Sequence, residues 1–362
     1  GASNTVVGYR GGASMTTGAL NVAVGQSALK SNTTSECNTA IGACALRDQT
    51  TGTQNVAVGW AALQTNTTAH YNTAVGTGAL HLNTTGCSNV ALGFKALFQN
   101  TTADNNVGIG HEALENATTG GGNTAIGRVA LESLTTGSYN NAAGMYALNG
   151  VTEGCRNTGL GYAAGIYTTT ASYNTFVGGC AAYSNTTGTY NSASGFQALK
   201  SNTTGQHNTA SGAYALFGNT TGHCNTAIGL NAGTINTTGS CNIYIGRGAN
   251  SNSGGTGYNN VVVIGTNAEA SATNDFILGN SSHVLDIPSG KLKVGGSSGS
   301  NGQVLTTDGS GGVSWTSTSI TGTGGVSTTS ERTTHAGSGS HNSATSGTED
   351  STGFGYRALY SV

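Results

Sequence analysis

Charge is nearly missing from this sequence: only 7% of its 362 residues are Asp, Glu, Lys or Arg, and the net charge is -2. The 12 Lys and Arg are scattered singly, so no basic stripe exists to neutralise phosphates, and nucleic acid is not an expected partner. Proline is lacking but for Pro288, and the 60 glycines follow no strict Gly-X-Y period, which excludes a collagen triple helix. Long apolar runs are lacking as well. No segment approaches the ~20 consecutive apolar residues of a membrane helix, so no membrane insertion is expected. The high net charge that keeps a polar chain disordered is absent too, because the polarity comes from Asn, Thr, Ser and Gly. No signal peptide is visible, and a start at Gly1 without Met reads as a processed or fragmentary end.

What the sequence has is a period. Asn recurs at every 17th residue from Asn4 to Asn242, in fifteen copies without insertion, and each Asn is followed four residues later by Gly, from Gly8 to Gly246. Numbered from this Asn, the unit reads N-T-A-V-G-x-x-A-L-x-x-N-T-T-G-x-x, as in Asn72 to Ser88. A fixed period of this size predicts an all-β solenoid, or β-roll, of stacked 17-residue coils. The short β-branched segment before the Gly reads as one strand per coil. The Gly is expected to need positive φ, or an approach too close for a Cβ. The Asn suits a corner and a ladder of stacked side chains. Asn72, Gly76, Asn89, Gly93, Asn123 and Gly127 represent this structural repeat.

Position 4 is mostly Val, Ile or Leu, position 8 is Ala in fourteen of fifteen copies, and position 9 is often Leu. These are the expected apolar columns. The A-L pair begins either a helical turn or a second strand, and N-T-T-G reads as an outward turn. Stacking at ~4.8 Å per coil gives a shaft of roughly 70 Å, whereas an intertwined triple β-helix would rise about three times as much per 17 residues. So thin a core predicts that a further face is buried against identical chains.

Five segments follow from the pattern: the shaft over 1–250, an irregular β transition over 251–295, a small β-module over 296–317, a Ser/Thr/Gly-rich connector over 318–350, and the start of a further repeat over 351–362. The connector, nearly without apolar residues, is expected to be flexible or extended. Gly265 and Gly279 still close strands in the transition, but the spacing there slips to nineteen and fourteen residues.

The N-x-A-Ø-G and A-L-x-x-N-T-T-G units over Asn4 to about Asn250 resemble those of tailed-bacteriophage fibres and, more distantly, the left-handed β-roll heads of trimeric autotransporter adhesins. Asn301 to Ser317 (N-G-Q-V-L-T-T-D-G-S-G-G-V-S-W-T-S) is similar to a small β-module of phage fibres, and Ile287 to Gly295 looks like the short strand pair that leads into it. These resemblances imply a homotrimer, where the sequence alone does not separate trimer from dimer. They also imply a virion or extracellular location, and a tip that engages a host-surface glycan or protein. The restart at Ser351 and Gly355 resembles the point that precedes an intramolecular chaperone domain of the endosialidase type.

Candidate chemistry is sparse. The seven cysteines lack metal-ligand spacing, and no cofactor or metal is expected. Cys224 and Cys241 share position 17 in neighbouring coils and are a possible disulfide, the alternative being small side chains filling a column. His207 with Cys224, and His70 with Cys87, form at most weak metal pairs. Glu112, Glu115 and Glu132 are read as solvated surface, and no enzyme activity is expected. Tyr71, Tyr139, Tyr173 and Tyr190 all fall at position 17, where they either pack over a corner or form an aromatic strip for glycan contact. Asn32, Asn66, Asn83, Asn100, Asn116, Asn185, Asn202, Asn219 and Asn236 sit in N-x-S/T sequons. The expected function is a fibre shaft for host attachment. The alternatives are an ice-binding solenoid, suggested by the repeated Thr-Thr, and a polysaccharide-cleaving tailspike, which needs paired carboxylates in a groove.

Overall fold

The computed structural model describes residues 3–252, 257–284, 299–300, 303–307 and 313–317, together with the strands Val326–Thr328, Thr334–Ala336 and Gly353–Phe354. The chain forms two compact units, Gly1–Val284 and Leu285–Val362, and no helix occurs among the described residues.

The first unit is a β-solenoid. Fifteen three-residue strands recur from Thr5–Val7 to Ile243–Ile245. Each of the first fourteen pairs in parallel with the strand 17 residues on in the same chain, as Thr73, Ala74 and Val75 pair with Val90, Ala91 and Leu92. Such pairing is that of a single-chain stack, not of three intertwined chains. Val262–Ile264 and Phe276–Leu278 extend the same 17-stranded sheet after the spacing slips. A second short ladder, Asn250–Ser251 with Glu269–Ala270, forms beside it.

The strand turns a different side inward from the one its hydrophobicity predicts. Successive strand residues face opposite ways, and it is the middle one, Ala at position 3, that is buried: Ala23, Ala40, Ala57 and Ala74 are all at 0% exposure. Position 4, expected in the core, faces out, with Ile41, Leu92, Ile126 and Ile228 at 40–45% exposure. The core is therefore Ala at position 3, Ala at position 8 and Leu at position 9, stacked as columns with buried Asn. A coil this narrow holds one Leu across from two Ala, and an Ile at position 3 would overfill it.

Two Asn columns complete the interior. At position 1, each backbone N–H from Asn21 to Asn242 donates to Oδ1 of the Asn one coil earlier, at 2.8 to 3.1 Å. The amide then spans the coil, donating to the position-15 carbonyl, as Asn72 does to Gly86 O and Asn89 to Ala103 O at 2.8 Å each. The expected ladder is present, but the left-handed corner precedes it: position 17 has φ near +60°, for example Tyr71 at 62° and Cys241 at 61°. The first residue of N-T-T-G is also inward. Asn83, Asn185 and Asn202 are fully buried, and Asn100 Nδ2 donates to Asn83 Oδ1 at 2.7 Å. Only the second Thr of the motif is exposed in coil after coil.

The position-5 Gly has φ between 126° and 139° in all fifteen coils, as expected from its constancy. A Cβ on Gly127 would lie 2.6 Å from the carbonyl oxygen of Gly144 in the next coil. The A-L segment is neither helix nor second strand. Leu at position 9 takes φ near +50°, as Leu63 does at 48°, and its N–H donates to the position-8 carbonyl of the next coil, Leu63 to Ala79 at 3.0 Å.

In the second unit, Gln303–Thr307 and Val313–Ser317 form an antiparallel hairpin with Leu305 opposite Trp315, within the segment expected to be a β-module. The connector over 318–350 is not uniformly irregular. Val326–Thr328 pairs antiparallel with Thr334–Ala336, which pairs parallel with Gly353–Phe354 of the repeat restart. The strand pair expected at Ile287 to Gly295 lies outside the described residues.

Candidate interaction surfaces

The coil-to-coil stacking leaves long columns of side chains, and the chemistry of each depends on whether the fold already uses it. Position 16 is used. Its side chains accept a hydrogen bond from the backbone N–H at position 16 one coil earlier: Asp104 Oδ1 from Cys87, Ser172 Oγ from Cys155, His223 Nδ1 from Gln206, and His70 Nδ1 from Thr53, at 2.6 to 3.1 Å. The sulfurs of Cys87 and Cys155 do the same for His70 and Ser138, at 3.4 and 3.3 Å. His70 and Cys87 are thus joined by a backbone N–H donating to a thiol, not poised as a metal pair. This role escapes sequence reading because Asp, Ser, Cys and His share only an acceptor near the backbone.

Position 17 holds a stack. Tyr139, Arg156, Tyr173, Tyr190 and His207 follow one another in consecutive coils. The Arg156 guanidinium lies 5.5 Å from both the Tyr139 and Tyr173 ring centroids, Tyr173 and Tyr190 are 4.9 Å apart at 4°, and Tyr190 and His207 are 5.0 Å apart at 3°. Local packing, the first of the two readings of these tyrosines, is what the geometry displays. Within the stack, Tyr173 and Tyr190 have both ring faces engaged by neighbours, and Tyr139 has one face against Arg156. Tyr71 stands outside the stack at 60% exposure, tilted against His70 at 6.0 Å. Cys224 and Cys241 continue the column as exposed free thiols in neighbouring coils.

The three glutamates, read from sequence as separate surface groups, come together. One carboxylate oxygen from each of Glu112, Glu115 and Glu132 lies within 4.8 Å of the others, the only such grouping of three His, Cys, Asp or Glu among the described residues. Each already has a neighbour: Lys95 Nζ donates to Glu115 at 2.9 Å, Asn149 Nδ2 to Glu132 at 2.8 Å, and His111 Nδ1 lies 3.2 Å from Glu112. The Glu115 carboxylate holds the Lys95 ammonium above the usual lysine range. The sequon asparagines are no glycan acceptors in the folded coil, since all but the half-buried Asn116 are fully buried.

The outer face of the sheet carries positions 2 and 4 in register along the rod. Position 4 presents a rank of aliphatic side chains including Ile41, Leu92, Ile126, Leu160, Val177 and Ile228. On the turn side, the first Thr of N-T-T-G spends its hydroxyl on the next coil, Thr84 Oγ1 donating to Thr101 O at 3.0 Å. A single exposed Thr rank remains there, not the two-rank array that ice binding calls for.

Comparison with protein-family models finds no match, and comparison with curated proteins finds no similar chain. The class defined by the geometry is a β-solenoid repeat protein.

Proposed function

We propose that this chain is the shaft of a homotrimeric fibre, of the kind borne by tailed phages or, in the second instance, by surface adhesins, carrying a receptor-binding tip toward a host cell. The observation that supports it is the aliphatic rank at position 4, which runs along a rod whose own core has no use for it. Apolar surface that recurs in a fixed register in thirteen of the fifteen coils, broken only at Ser194 and Ser211, fits a partner with the same repeat, and the nearest such partner is another copy of the chain. Three copies facing a common axis with their sheets cover the rank. The choice of three over two comes from the fibre resemblance.

Sedimentation equilibrium of the full chain tests this, with three times the 35.8 kDa chain mass expected. Ile126→Lys with Leu160→Lys places charges on the shared face and reduces the species to single chains that keep their β circular dichroism. A wild-type chain that sediments as a monomer at tens of micromolar overturns the fibre reading.

A further inference from the structure

We infer that Cys224 and Cys241 form a surface site for one two-coordinate thiophilic cation, cuprous ion, held between two neighbouring coils. Both residues occupy position 17, on consecutive rungs, and both are exposed free thiols. No other two of the seven cysteines share a position in neighbouring coils. Among the described residues neither sulfur accepts a backbone N–H, as those of Cys87 and Cys155 do. The site goes beyond the fibre reading and does not rest on it.

The column itself sets the spacing of the two side chains. Directly below Cys224, the rings of Tyr173, Tyr190 and His207 repeat at 4.9 and 5.0 Å, within 4° of parallel. Cys224 and Cys241 keep the same backbone form, with φ of 58° and 61°. Equivalent atoms of the two residues therefore stand one rung, ~4.8 Å, apart. A disulfide needs its Cβ atoms about 3.5–4.5 Å apart, so the rung is too tall for a relaxed one. Two metal–thiolate bonds of ~2.3 Å laid end to end span about 4.6 Å, which the rung accommodates with little movement.

The surroundings favour two ligands over four. His207, on the rung below, lies 3° from parallel to Tyr190 and turns its other ring face toward Cys224, which leaves its nitrogens at the rim. Asn260, on the rung above, spends its amide on Asn274 Oδ1 at 3.0 Å. Beside the thiols, His223 Nδ1 accepts the Gln206 N–H at 3.1 Å, and Ser240 Oγ accepts the His223 N–H at 3.0 Å. A tetrahedral ion such as zinc is poorly served by this set. Soft thiolates facing each other in line suit Cu(I). Binding exchanges protons for metal: each thiol gives up its proton, each thiolate forms one Cu–S bond, and no electron changes hands. The bridge ties adjacent coils along the rod axis.

Titration of the full, reduced chain with Cu(I) under nitrogen, in competition with a cuprous chelator, tests the site. One equivalent is expected to be held against the chelator, and X-ray absorption should show it with two sulfur neighbours. Cys224→Ser and Cys241→Ser should each abolish that equivalent, while Cys37→Ser, at the same position but alone in its column, keeps it. Melting curves by circular dichroism establish that each variant is folded. No equivalent held, an equivalent that survives either single variant, or an ion with three or more ligands overturns the inference. A Cys224–Cys241 disulfide in the air-exposed chain also overturns it, because the sulfurs would then reach closer than the rung allows. None of these readouts depends on the sedimentation mass, so the site and the trimer fail separately.

Discussion

Phe176 lies in the room that Gly165 leaves: a Cβ on Gly165 would stand 2.6 Å from Phe176 Cδ2. Phe176 occupies position 3, where other coils have Ala, and Gly165 occupies position 9 of the preceding coil, where they have Leu. The same exchange recurs where Tyr244 meets Gly233. Volume is conserved across the coil boundary while its distribution is inverted.

Gly165→Leu alone should therefore overpack the coil, costing about 1–3 kcal/mol, and Phe176→Ala alone should leave a cavity worth about 3–5 kcal/mol. Combining the two restores the ordinary Ala and Leu arrangement, so the double variant is expected to be more stable than either single one. Denaturant unfolding of all four proteins at one chain concentration measures the coupling. Additive losses would show that the two residues do not share space.

Gly127→Val is expected to break the stack locally. Its φ of 135° is closed to a β-branched residue, with a backbone cost of about 1–3 kcal/mol, and the Cβ would run into Gly144 O. Thr84→Ser keeps the hydroxyl that donates to Thr101 O and should change stability by less than about 0.5 kcal/mol. Thermal melting of the assembled protein separates them, and equal melting temperatures would contradict the assigned corner.

Asn123→Asp probes the inner ladder. The Asn123 amide donates to Asn106 Oδ1, Gly120 O and Gly137 O at 3.2, 3.2 and 3.0 Å. A carboxylate there faces three acceptors without a cation, and breaking such a buried set costs about 3–5 kcal/mol. The loss should shrink as the pH is lowered toward the carboxyl's own titration, because the neutral acid can donate one of the three bonds. A urea midpoint that does not shift between pH 7 and pH 4 would count against this account.

At the far end of the sheet, the backbone N–H groups of Ser271 and Ala272 donate to Asp275 at 2.7 and 2.9 Å and hold its carboxyl below the usual range. A depressed folded value means that the turn is favoured above the unfolded pKa of about 3.9 and loses that support as pH falls through the folded value. Protection of the Ser271 and Ala272 amides from hydrogen exchange is expected to drop on that acid limb. Asp275→Asn should flatten the dependence, and an unaltered profile in the variant would remove Asp275 as its source.

The period, the Gly corner and the Asn ladder were legible in the sequence because each is a constraint repeated fifteen times. The sidedness of the strand was not. Val or Ile at position 4 is more hydrophobic than Ala at position 3, yet the inward direction is decided by the room left opposite the position-9 Leu, which no single coil reveals. The surfaces were legible only as positions. Tyr139, Tyr173 and Tyr190 were visible as a column, but whether their faces are free depends on Arg156 and His207 filling the rungs between and beyond.

The register that pairs each strand with the one 17 residues later also fixes how the rod bears load. Its inter-coil hydrogen bonds lie along the rod, so tension pulling the ends apart opens them one rung after another, like a zip, and never shears a whole sheet at once. Each coil that lets go trades ~4.8 Å of rod for about 60 Å of extended chain. Under steady tension the chain would be paid out in equal steps at a nearly constant, modest force, and each freed coil would find its neighbour's edge still waiting as a template for rewinding.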